Sequence, residues 1–81
     1  MNRLTGAKVD FPTGESPYGV AFDGTSIWVT NVDSNSVSKI DPATGAKTSY
    51  PTGDGPYVVA FDGTNIWVTN NGADSVSKLI P

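Results

Sequence analysis

The chain has 81 residues, a formal net charge of −3, and neither cysteine nor histidine. A disulfide framework is excluded, and a zinc site would have to be built from carboxylates alone. The five basic residues, Arg3, Lys8, Lys39, Lys47 and Lys78, are scattered, which argues against a nucleic-acid footprint and against anionic membranes as partners.

In chain order, residues 7–11 (AKVDF) read as a short strand, and PTGESP closes it with turn residues. YGVAF, residues 18–22, is a second strand, followed by Asp23-Gly24, a short-range hairpin signal in which both positions tolerate positive φ. IWVTN, residues 27–31, is its partner. The polar run VDSNS, residues 32–36, is turn-forming and leads to a strand over residues 37–40. DPATG, residues 41–45, is a further turn, with Pro42 where φ must be near −65°. A strand over residues 47–50 follows, and PTGDGP carries the chain into the next YVVAF.

From there the sequence repeats itself. Residues 3–41 align without a gap to residues 42–80, with 24 identities in 39 positions. No segment carries a helical period, and no apolar run exceeds about six residues, so neither a transmembrane helix nor a signal-peptide core is expected and the compartment stays unknown. Four short antiparallel strands in a repeat near 40 residues long is the pattern of a β-propeller blade. The expected fold class is all-β, with a sandwich of two four-stranded sheets as the structural alternative.

The order of strands within the repeat matters. With a the inner and d the outer strand, the chain reads d-abc-d-abc. Residues 1–81 form a two-blade unit: an outer strand over 7–11, one blade over 18–50, and a second blade over 57–80 that lacks its own outer strand. A small core with no staple supplies only about 3–5 kcal/mol, so the expectation is association. The outer strand of one chain pairs with the last strand of the next, through Val9 and Phe11 on one side and Val76 and Leu79 on the other. Identical chains then close a ring: the expectation is a trimer with six blades, since fewer chains lose less association entropy, with a tetramer of eight blades as the alternative.

SPYGVAFDGTSIWVTN, followed by SVSKIDPATG, resembles the repeats of bacterial YVTN-type and streptogramin (virginiamycin B) lyase-like β-propellers, with the tetrad written here as WVTN at residues 28–31 and 67–70. The resemblance covers both repeats and implies the propeller fold. In the lyases that share it, elimination looks to a His-containing, metal-assisted site, and this chain has no His to which that role can be carried.

No nucleophile–base pairing is written in the sequence, and most carboxylates fall in turns, so no catalytic residue and no cofactor is expected. The loops before the inner strand and between the second and third strands share one face of a propeller. They gather Glu15, Asn31, Asp33, Asn35, Asp54, Asn70, Asn71 and Asp74. The leading expectation is a self-assembling, non-enzymatic ring; the alternative is a multivalent module presenting that polar face to a glycan, a peptide or a cation.

Overall fold

The computed structural model describes residues 12–81. Seven strands follow one another: β1 (Pro17–Phe22), β2 (Ile27–Asn31), β3 (Ser36–Ile40), β4 (Lys47–Pro51), β5 (Pro56–Phe61), β6 (Ile66–Asn70) and β7 (Ser75–Leu79). The first four form one antiparallel meander and the last three another. Among the described residues the only helical element is a 3-10 turn, Asn71–Ala73. The expected outer strand over 7–11, and with it Val9 and Phe11, lies outside the described residues.

Register is identical in the two sheets, because the same side chains set it. Val20 faces Val29, and Val59 faces Val68; Trp28 faces Lys39, and Trp67 faces Lys78. Each inner strand carries a bulge, between Pro17 and Val20 and between Pro56 and Val59. A bulge inserts one extra residue and re-aims side chains locally. The two tyrosines at these bulges, Tyr18 and Tyr57, stack on one another with ring centroids 4.0 Å apart.

The turn after each inner strand spans the residues left between the expected strands, 18–22 and 27–31. It has four residues, Asp23–Ser26, closed by Asp23 N–H donating to Ser26 C=O, and positive φ falls on Gly24 alone. The Asp side chain wins the competition for local donors: Asp23 Oδ1 accepts from Thr25 N and Ser26 N, and Oδ2 accepts from Trp28 Nε1 at 2.8 Å. Asp62 does the same for Thr64, Asn65 and Trp67.

The core lies between the sheets. Opposed residues of an antiparallel pair share a face, so one face of the first sheet carries Ala21, Trp28, Thr30, Val37 and Tyr50. It packs on the opposite kind of face of the second sheet, which carries Val59, Phe61, Ile66, Val68 and Leu79. Trp28 stacks on Tyr50 and holds Lys39 Nζ 5.5 Å from its ring. A sandwich would pair two inner faces and turn polar faces outward. Here the sheets stack front against back in the same sense, and the arrangement is β-propeller-like.

Candidate functional site

Front-to-back stacking leaves two faces uncovered, and the repeat shows what each lacks. On the first sheet the outward face carries Val20, 67% exposed, where its repeat counterpart Val59 is 6% exposed. Phe22, Ile27 and Val29 are likewise more open than Phe61, Ile66 and Val68. On the second sheet the outward face carries Val58, Trp67, Thr69 and Val76; Val76 is 56% exposed, whereas its counterpart Val37 is wholly buried. The uncovered pair is therefore the same pair of surfaces that already pack on each other inside the chain.

Polar groups at the internal joint are matched as closely as the apolar ones. Thr30 is buried in mid-strand; its Oγ1 accepts from Gly19 N and donates to the carbonyl of Tyr57, both at 2.8 Å. Asn35 Oδ1 accepts from Gly55 N at 3.0 Å, and Asn35 C=O from Thr52 N at 3.0 Å. At the counterpart position Thr69 Oγ1 accepts from Val58 N at 2.9 Å and reaches only Val58 C=O at 3.5 Å. The sequence reading missed Thr30 and Gly19; the signal was a Thr on the tryptophan face of a buried strand, repeated.

The expected polar face is assembled in part. The loops before the inner strands meet those between the second and third strands: Ser16 Oγ donates to Asp33, and Asp54 C=O accepts from Gly72 N at 2.9 Å. Glu15, Asp33, Asn35, Asp54, Asn71 and Asp74 are exposed there. Asn35 and Asp74 adopt left-handed φ of 50°, a conformation that Asn and Asp tolerate better than most residues.

Asn31 and Asn70 are a correction to that face: they are 0% and 2% exposed. Asn31 Oδ1 accepts from Gly14 N at 3.0 Å, and its Nδ2 donates to Ser36 Oγ and Ser38 Oγ. Asn70 repeats this with Gly53, Ser75 and Ser77. A buried amide must be satisfied, and these two tie three segments of each sheet together. Of the closure residues, Val76 stands at the open side of β7, whereas Leu79 packs against the chain's own core.

Among the described residues no three acidic side chains come close enough to hold a metal ion. At the opposite end a shallow cleft of about 420 Å³ lies between the sheets, bordered by Asp23, Lys39, Phe61 and Asn65. Burial pushes the Asp23 carboxyl up, but hydrogen bonds from Ser26, Trp28 and Thr25 outweigh it and hold the group below its ordinary value. Asp62 is lowered by the hydrogen bonds from Asn65, Trp67 and Thr64. Tyr57 is raised, chiefly by its hydrogen bond to Tyr18. These groups are already engaged within the fold.

No protein-family model matches the chain, and no curated protein matches it. Among solved structures it is similar to Kuenenia stuttgartiensis hydrazine synthase, at a TM-score of 0.75 and 26% sequence identity. The match covers 93% of this chain and 22% of that one, so the chain spans about a fifth of the length of the structure it matches. The likeness in fold, with two antiparallel sheets stacked front to back, describes an all-β, β-propeller-like unit.

Proposed function

We propose that the chain is a self-assembling β-propeller unit whose encoded activity is ring formation between identical copies, without catalysis. The observation that supports this reading is the match between the uncovered faces and the internal joint. The outward face of one chain's second sheet offers Trp67, Thr69 and Val76; the outward face of the next chain's first sheet offers Val20, Phe22, Ile27 and Val29. Inside the chain the counterparts of these residues form the core.

Front-to-back contacts are heterologous, so they propagate until a rotation closes them into a ring. The repeat also supplies the missing outer strand. Register in the first sheet sets Val37 opposite Tyr50; shifted by the repeat, Val76 stands opposite Phe11 of another copy, with Val9 beside Lys78. That pairing covers the outer edge of β7, which among the described residues has no strand beside it and would otherwise template uncontrolled association.

Sedimentation velocity or native mass spectrometry at micromolar concentration tests the reading. A closed species of three chains (six blades) or four (eight blades) is expected, and a monomer sinks it. Multivalent ligand binding on the acidic loop face is a second reading, favoured by the exposed Glu15, Asp33, Asp54 and Asp74 on loops that meet at one end of the sheets.

A further inference from the structure

Among the positions at which the two joints of such a ring differ, one sets its Cβ against backbone. Within the chain Gly19 lies against β5. A Cβ built on it would stand 2.9 Å from the carbonyl oxygen of Tyr57, 3.2 Å from Thr30 Oγ1 and 3.3 Å from Val59 N. The nearest of these atoms is backbone and cannot swing aside. The counterpart of Gly19 in the second repeat is Val58, placed by the same bulge in the same register and 47% exposed on the uncovered face.

At the joint between chains, the neighbour's Tyr18 carbonyl takes the place that Tyr57 holds inside the chain, and it meets a side chain where Gly19 leaves space. We propose that Val58 holds the joint between chains wider at its inner edge than the joint within the chain, and thereby sets the ring at four chains. This deepens the assembly reading and rests on it.

The direction follows from the geometry of a closed ring. Each joint is a wedge, narrow at the inner strands and wide at the outer ones, and the wedge angles must sum to a full turn. Their mean is roughly 60° for six blades and roughly 45° for eight. Spacing the inner strands apart while the outer contacts of Trp67 and Val76 stay like those of Trp28 and Val37 makes the wedge shallower. A shallower wedge at every second joint requires more blades. Because the obstruction begins at Cβ, alanine keeps it and only glycine removes it.

Native mass spectrometry of the wild-type chain, Val58→Ala and Val58→Gly tests this. Four chains are expected for wild type and Val58→Ala, and a shift from four to three for Val58→Gly. A three-chain wild-type ring, a glycine variant that stays at four, or an alanine variant that falls to three overturns the role of Val58 and leaves assembly standing. A wild-type monomer overturns the assembly reading itself.

Discussion

Thr30 reaches across the joint to Tyr57: one hydroxyl accepts from its own sheet's Gly19 N–H and donates to the carbonyl of the neighbouring inner strand. Val is close to Thr in shape but leaves both backbone groups without that partner. Thr30→Val is expected to cost about 1–3 kcal/mol, the range for stranding a buried donor or acceptor. Urea unfolding measures it. Thr69→Val leaves no buried carbonyl stranded within one chain, so its expected effect is on the dissociation midpoint of the assembly.

The asparagines that close the second strands carry a heavier structural role than exposed ligands would. Asn31→Ala removes an acceptor from Gly14 N and a donor shared by Ser36 and Ser38. A loss of about 2–4 kcal/mol is expected, summing a cavity with stranded polar partners. Against the roughly 3–5 kcal/mol that an unstapled core of this size supplies, thermal unfolding shows this readily. A variant whose melting temperature matches wild type contradicts the account.

Acid acts on the two aspartates that organise the turns. Asp23 and Asp62 both titrate below their ordinary value in the folded chain, so the unfolded chain binds protons first as pH falls. The stability they contribute is present above the unfolded pKa of about 4 and is lost as pH falls through the lower folded values. Melting temperature is expected to drop on that acid limb, and Asp23→Asn with Asp62→Asn is expected to flatten the limb while lowering the neutral-pH value.

Edge substitutions separate assembly from folding. Val76 is exposed within one chain, so Val76→Lys is expected to leave the secondary structure seen by circular dichroism intact. In the proposed ring it places a charge at the counterpart of the contact Val37 makes inside the chain, and Phe11→Asp places one in the segment proposed to pair with β7. Either is expected to raise the concentration for half-dissociation by tenfold or more, about 1.4 kcal/mol, as read by sedimentation equilibrium.

Strand positions were legible because the short apolar runs VAF and IWV, bounded by turn residues, are written twice. Most bounds agree, and a few differ by one residue: Ser36 and Pro51 extend strands expected over 37–40 and 47–50. The hairpin's place was legible, but Asp-Gly composition does not reveal that the Asp carboxylate collects three donors and that positive φ falls on Gly24 alone. The 3-10 turn at Asn71–Ala73 was equally hidden, since NGAD replaces VDSN without changing loop length. Asn31 and Asn70 were placed on the wrong side of the sheet surface for a related reason. Asn next to a turn reads as solvent-facing, and only the nearby serines of β3 and β7 show that its amide has partners inside.

The Asp–indole tie bears on how the molecule is observed. Trp28 and Trp67 are fixed in the same orientation by the same carboxylate contact, yet one is 1% exposed and the other stands partly open on the outward face. Two like fluorophores thus sit in unlike surroundings, and the difference reports the very surface at issue. In the proposed assembly, docking of another copy is expected to dry Trp67 and shift its emission to shorter wavelength, while the already buried Trp28 is expected to stay unchanged. With Trp28 replaced by Phe, the chain carries a single-site optical gauge of its own association, with no label attached.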